Sequence, residues 1–409
     1  MREAWIIDAA RTPRGIGKPE KGALSSIHPQ RLLSTVLKTL AQRNGIDSKD
    51  IDDVVTGVNT QAGKQGLCLG RMAALDAGFA QTVPGVSLDR FCGSGLTALN
   101  FAAMGVVSGF QDLVFAGGVE MMSHTQTLKR EFMLDSQNLD LRKRIPQPHQ
   151  GICADMIATL EGITREALDR LGAESQRRAH EAIENGYFER SLVPVRDDKN
   201  ELLLEREEYP RPQTTYDILA GLKPAFEPFF DRQIDEEGTT FGALIRSVYP
   251  DLEINYQHTA GTSSGVVDGA GAVVIASSDY ANAHGMKPRA RIRASVTVAD
   301  DPVLMLNAPG PAAKKAVEQA GMSLKDIDLF EINEAFAVVP LKFMQDLDLD
   351  PETVNVNGGA IALGHPIGAT GAILAGTLLD ELERRDANVG LVTMCAAGGM
   401  APAMIIERI

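Results

Sequence analysis

Cysteine is scarce in this chain, and long apolar runs are missing. Four cysteines among 409 residues, with no CxxC pair, cannot make a disulfide framework. No histidine stands at zinc-ligand spacing from them, so no structural metal is expected. No apolar run is long enough to span a bilayer. The opening "MREAWIIDAARTP" has no basic region ahead of a signal-peptide core, and the closing "MIIERI" is not a Ser-Lys-Leu address. Basic charge is also in deficit. With 40 Lys and Arg against 54 Asp and Glu, the formal net charge is −14. Such a surface repels phosphodiester backbones and anionic lipid, so neither a nucleic-acid nor a membrane partner is expected. A phosphorylated ligand would need local basic residues. A soluble, reduced, cytoplasmic setting is the expectation.

What is present is a strand–helix grammar, and it occurs twice. "AWIIDAA", "DDVVTGV", "PGVSL" and "DLVFAGG" read as strands. "PQRLLSTVLKTLAQRNG", "LCLGRMAALDAGF" and "GLTALNFAAMGVVSGF" read as helices. This alternation predicts an α/β fold with parallel sheet and covering helices. The helix after Cys92 has few polar residues (Thr97, Asn100, Ser108), which predicts burial on all sides. "NGIDSKDIDDV" at 44–54 returns as "AGMSLKDIDLF" at 320–330. "DLVFAGG" at 112–118 is echoed by "GLVTMCAAGG" at 390–399, and "AGAVVIAS" at 270–277 by "APAMIIER" at 401–408. Three matches in one order predict two copies of one domain: residues 1–278, with a polar excursion over about 121–255, and residues 279–409.

Four residues stand out for chemistry. Cys92, in "DRFCGSGL", lies at a strand-to-helix junction, where helix amides favour a more acidic and reactive thiol. A lone cysteine is more often an inert core residue. The Gly-Ser-Gly context and the duplicated position reverse that preference. His365, in "NGGAIALGHPIGATG", precedes a proline suited to a first helical turn, a setting that favours neutral imidazole. Five glycines crowd that run, and no Gly-Lys-Ser/Thr follows to make it a P-loop. Cys395, in "TMCAAGGM", sits at a strand end matching "VFAGG", and Asn333 opens "NEAFA" directly after a predicted strand. Singly they read as a core thiol and a helix cap. If the two copies pair face to face, all four lie at neighbouring loop ends.

The chain resembles the thiolases, the acetyl-CoA acyltransferases, along nearly its whole length. "ARTPRG", "DRFCGSG", "AGGVEMMS", "TAGTSSGVVDGAGA", "NEAFA", "GGAIALGHPIGATG" and "CAAGG" occur in family order. The resemblance implies a thiolase-like five-layered αβαβα core of two similar halves, assembled as a homodimer or homotetramer. It implies Cys92 as the nucleophile that carries the acyl thioester, His365 as its base and Cys395 as the second acid/base. Asn333 would hold an oxyanion-hole water, and the backbone N–H groups of Cys92 and Ala397 would form a second hole. Thiolate is both a soft nucleophile and a good leaving group, as splitting a β-ketoacyl thioester requires. The departing enolate needs fixed donors at oxygen and a proton at carbon. Acyl-CoA and coenzyme A are then substrates, with no permanently bound cofactor and no metal. A β-oxidation enzyme is a further expected partner. Arg211, Phe226, Ser264 and His149 align with coenzyme A contacts, and the basic runs at 128–130 and 141–144 are either phosphate ligands or solvated charge.

The sequence departs from the family at three places. Gln150 stands where a methionine is common, Ala397 stands where glycine is common, and the stretch between Phe226 and Thr259 is long. Cys68 and Cys153 match no catalytic position. A ketoacyl synthase would pair Cys92 with two histidines, or with His and Asn, rather than with Cys395. A serine hydrolase is suggested by "GTSSG" at 261–265, but a turn and a strand follow it rather than a helix. A non-catalytic coenzyme A-binding paralogue is a third reading, against which stands the presence of all four site residues.

Overall fold

The computed structural model describes residues 2–128 and 133–409. The first copy contributes β1 (Ala4–Arg11), α1 (Pro29–Arg43), β2 (Asp53–Gly57), α2 (Leu69–Asp76), β3 (Val86–Leu88), α3 (Ser94–Val107) and β4 (Leu113–Met121). The chain then leaves the sheet through α4 (Gln150–Leu160) and α5 (Arg165–Glu184) and rejoins it at β5 (Val267–Ser277). The second copy supplies β6 (Ala290–Ala299), α6 (Pro309–Ala320), β7 (Leu329–Ile332), α7 (Val338–Leu347), α8 (Thr370–Arg385), β8 (Val389–Thr393) and β9 (Met400–Arg408).

The strands form one mixed sheet in the order β7-β8-β9-β6-β1-β5-β4-β2-β3, with the two-residue strand Gly15–Ile16 beside β5. The pairing repeats in the two copies. β2 runs parallel to β4, β4 antiparallel to β5, and β5 antiparallel to β1. Likewise β7 runs parallel to β8, β8 antiparallel to β9, and β9 antiparallel to β6. The copies join where β1 meets β6, through Trp5 opposite Arg291 and Ile6 opposite Ala290.

The echoed "KDID" motifs have a physical reason. Each forms a short 3₁₀ turn, Ser48–Asp50 or Leu324–Asp326, that feeds β2 or β7. The closing aspartate then staples the next parallel strand. Asp52 accepts the N–H groups of Asp112 and Leu113, and Asp328 those of Asn388 and Val389.

Helices α3 and α8 meet at their first turns without side chains between them. A Cβ on Gly371 would stand 2.1 Å from the Leu96 nitrogen, and one on Gly95 2.7 Å from the Gly368 carbonyl oxygen. Those positions require glycine because backbone faces backbone. The predicted all-round burial of α3 is not what the structure has. Phe101, Met104 and Val107, at helical spacing, are 46%, 49% and 50% exposed, and Phe110 just beyond is 91% exposed. Apolar composition alone does not distinguish a buried helix from one carrying a bare apolar face.

The long segment before β5 folds around the short helix Phe241–Arg246 and closes an aromatic cluster over α4. Phe226, Phe229 and Phe241 pack around His149, whose ring stacks on Phe229 at 4.4 Å. Tyr249 ties the segment to Asp301 with a 2.7 Å hydrogen bond.

Candidate active site

The turn between β3 and α3 places Cys92. Asp89 accepts the Phe91 N–H at 2.7 Å, and Phe91 takes φ +48°, a left-handed conformation costly for a large side chain. Gly93 caps α3, so Cys92 precedes the helix amides by one residue. The thiol is half-buried. Burial pushes it up to about 12, and the carboxylates of Glu120 and Asp89 add to the shift. Here the structure differs from the acidic thiol predicted from the helix terminus: desolvation outweighs the dipole. Cys92 therefore rests as a protonated thiol and needs a base to become a nucleophile.

His365 is that kind of base. It is buried, and Thr370 at the start of α8 lies 2.6 Å from its Nδ1. The Thr370 hydroxyl donates to the Pro366 carbonyl at 2.9 Å, so it accepts from Nδ1–H. That leaves Nε2, which faces the Asn333 amide, as the basic nitrogen. Burial, and then the charge of Arg14, hold the imidazole down to about 4. Neutral, base-form imidazole is thus present across the ordinary pH range.

Asn333 emerges from the end of β7, with its amide nitrogen 3.4 Å from His365 Nε2. Its Oδ1 is buried with no hydrogen-bond partner among the described residues. The Asn333 backbone N–H bonds to Thr393 at the end of β8, which leads to Cys395 two residues on. Cys395 is buried, its thiol is raised by burial, and next by Cys92, whose charge it senses. The backbone N–H of Ala397 has no backbone carbonyl partner among the described residues, and that of Cys92 faces its own thiol. Ser264 adjoins this group: its N–H bonds to Ala335, and the next residue, Gly265, accepts the His365 N–H.

The remaining candidates lie elsewhere or do other work. Phe226 packs against Phe336 of the "NEAFA" turn at 5.5 Å and over Gly151. His149 caps α4, accepting the Gly151 N–H at 3.1 Å, and burial lowers its imidazole to about 4. It is uncharged at neutral pH and cannot serve as a cation for phosphate. Gln150, beside it, is exposed. Arg211 is exposed, lies over the Tyr209 ring, and forms no ion pair among the described residues. Of the two basic runs, Lys129 and Arg130 lie outside the described residues. Arg142 is buried and bound to Asp135 and Asp235, which removes it as a phosphate ligand. Ser263 donates to the Thr259 carbonyl at 2.8 Å and is followed by strand, so "GTSSG" is not a nucleophile elbow. Sequence reasoning missed Thr370 as the residue that fixes the imidazole, although it lies in "GATG", and Arg14, although it lies in "ARTPRG".

A thiol, a neutral imidazole, a second thiol and an amide gathered at the loop ends of a duplicated α/β sheet define a thiol-dependent acyl-transfer enzyme. The thiolase N-terminal domain matches residues 4–229 and the thiolase C-terminal domain residues 286–408. A 3-ketoacyl-CoA thiolase of Serratia proteamaculans is 36% identical over the full length of both chains. A steroid 3-ketoacyl-CoA thiolase of Mycobacterium tuberculosis is 38% identical, over 100% of this chain and 95% of that one. The crystal structure of the Bacillus anthracis acetyl-CoA acetyltransferase superposes with a TM-score of 0.84 at 34% identity, covering 100% and 99% of the two chains. This chain belongs to the thiolase family. It is an acyltransferase acting on acyl-CoA by thiolytic cleavage or the reverse condensation.

Proposed function

We propose that the protein cleaves a 3-ketoacyl-CoA by ping-pong chemistry through an acyl thioester on Cys92. His365 Nε2 takes the Cys92 proton as sulfur adds to the C3 carbonyl. The C2–C3 bond breaks, its electron pair forms the acetyl-CoA enolate, and Cys395 protonates C2. The imidazolium proton then returns to Cys395. The coenzyme A thiol gives its proton to His365 and attacks the acyl group, and Cys92 leaves and recovers that proton. Asn333 would hold a water at one oxyanion, and the N–H groups of Cys92 and Ala397 would serve the other. One observation carries this reading: Thr370 commits His365 Nδ1 as a donor, so the basic lone pair is on the nitrogen facing Asn333. Incubation with acetyl-CoA followed by peptide mass mapping tests it. Acetylation is expected on Cys92; labelling of Ser263 or no labelling would overturn the assignment.

We read residues 1–278 and 279–409 as the two thiolase halves, stacked as five layers. Coenzyme A is a substrate on this reading, with no permanent cofactor. Arg211 would meet its nucleotide end, and Phe226 and Ser264 its pantetheine. His149 would contribute through its ring and Nε2 rather than through charge. The relatives' names support a degradative role, with 3-ketoacyl-CoA supplied by a β-oxidation partner enzyme. Among the described residues no helix is long and apolar enough to cross a membrane. The four free cysteines, one of them exposed, support a reducing, cytoplasmic setting.

Gln150 would face the acyl chain at the mouth of the His149–Phe226 cluster. Gln150→Met is expected to raise kcat/KM for longer 3-ketoacyl-CoA substrates about threefold to tenfold relative to the four-carbon one, as apolar contact replaces an amide. Thiolysis rates across a chain-length series check this; an unchanged preference removes Gln150 from the pocket.

A homo-oligomer is supported by the open edge of the sheet. At the other edge, β7 is covered by Asn355, whose side chain bonds both the N–H and the carbonyl of Ile332. Among the described residues strand β3 has no neighbour on its outer side, and the exposed Phe101, Met104 and Val107 lie on α3, which follows it, with exposed Phe110 just beyond. The double variant Met104→Asp, Phe110→Asp should sediment as a monomer where the parent sediments as a dimer or tetramer.

A further inference from the structure

Arg14 takes no part in the chemistry above, yet it is buried directly behind His365. Its Nη1 faces the carbonyl of Gly364, the residue before His365, at 3.4 Å. Its stem and the ring of Pro366, the residue after His365, both border Gly269. The arginine thus lies against the backbone on both sides of the histidine. It belongs to a buried triad. Glu207 bonds Arg11 at 2.6 Å, accepts the Arg14 N–H at 2.7 Å, and lies 3.5 Å from Arg14 Nη2. All three side chains are at most 5% exposed. In this triad two guanidinium groups face one carboxylate.

Carboxyl groups also stand around this region, each held by its own partners. Glu331, on β7, senses Arg14 and is held well above the usual carboxylate range by burial and by Glu334 and Glu381. Glu120, on β4, accepts N–H groups from Asn59, Thr60 and Gly368 and is engaged there. Asp268, on β5, is taken up by Ser123. Glu208 accepts the N–H groups of Ile16 and Ala23. Asn333 and Thr370, the polar contacts of the ring itself, carry no charge. A guanidinium buried behind an imidazole opposes a second positive charge on that ring.

We propose that Arg14 is a positioning residue for the reaction: its buried guanidinium behind His365 opposes a positive charge on that ring, and the contact with Gly364 fixes its backbone. This rests on the reading of His365 as the base. Burial and the Arg14 charge both lower the imidazole, so removing the charge lets it rise toward its ordinary value, and the fraction in base form falls on the acid side.

The test is the pH dependence of thiolysis of acetoacetyl-CoA between pH 4.5 and 9 for the parent, Arg14→Gln, Arg14→Lys and Glu207→Gln. In Arg14→Gln the acid limb of kcat should move up by about one pH unit, with KM within about twofold. Arg14→Lys keeps the charge and should keep the limb. Glu207→Gln adds net positive charge and should leave the limb in place or move it down. Structural damage alone would move Arg14→Gln and Glu207→Gln in the same direction, and that result, or superimposable profiles for Arg14→Gln and the parent, overturns the proposal. Should Arg14→Gln not fold, an upward shift in Glu207→Gln or in Arg14→Lys overturns it equally. His365→Asn separates the two levels. If it is active, the base assignment fails and this inference with it; if it is inactive while the Arg14→Gln limb stays put, only the inference fails.

Discussion

Cys92→Ser is expected to lower kcat for thiolysis by roughly 10⁴-fold to 10⁶-fold, the range seen when a covalent nucleophile is removed from a preorganised site. The loss follows from three features of the site. The Cys92 thiol already sits at about 12, so on the proposed reading it must hand its proton to His365 before it can attack. A hydroxyl is harder still to deprotonate, and the buried His365 imidazole, held to about 4, is a weak base for that task. An ester on serine is also a poorer acyl donor to coenzyme A than a thioester, so any intermediate formed would persist. The comparison is informative because Cys92 is a free thiol, so exchanging its sulfur for oxygen breaks no covalent cross-link. Steady-state thiolysis with thermal denaturation of both proteins measures the effect. A variant that keeps a tenth of the activity would exclude the covalent route through this residue.

The fold was readable where the same physical problem is solved twice. The two "KDID" motifs end in aspartates that staple the neighbouring strand in the same way, so their recurrence carried real topological content. The places of Cys92, Asn333, His365 and Cys395 at strand ends and helix starts were legible, and Asn333 does lie beside His365. What was not readable depended on surroundings that composition does not encode. Desolvation, not the α3 terminus, sets the Cys92 thiol. The bare face of α3 looks, in one dimension, like a core helix. Arg142 reads as a surface charge until Asp235, 93 residues further on, is placed beside it. Arg14 gives no local signal either: its neighbours Glu207 and Gly364 are distant in sequence and meet it only through the turn after β1.

Cys395→Ala should divide the reaction in two. Thiolysis and acetyl-CoA condensation both require proton transfer at the α-carbon, and removing the group that performs it is expected to slow them about 10²-fold to 10⁴-fold. Exchange of label between acetyl-CoA and coenzyme A needs only Cys92 and His365, because the acyl group moves between sulfurs and no C–C bond changes. That exchange should stay within about threefold of the parent, and acetylated Cys92 should accumulate when acetyl-CoA alone is supplied. The separation is possible because the Cys395 thiol, itself raised by burial and by Cys92, is coupled to the nucleophile but does not hold it. Its removal also takes an ionisable neighbour from Cys92, which can only ease the first deprotonation. Equal loss of exchange and thiolysis would mean that Cys395 supports the geometry of Cys92 rather than carrying a proton, and His365 would then have to serve both steps.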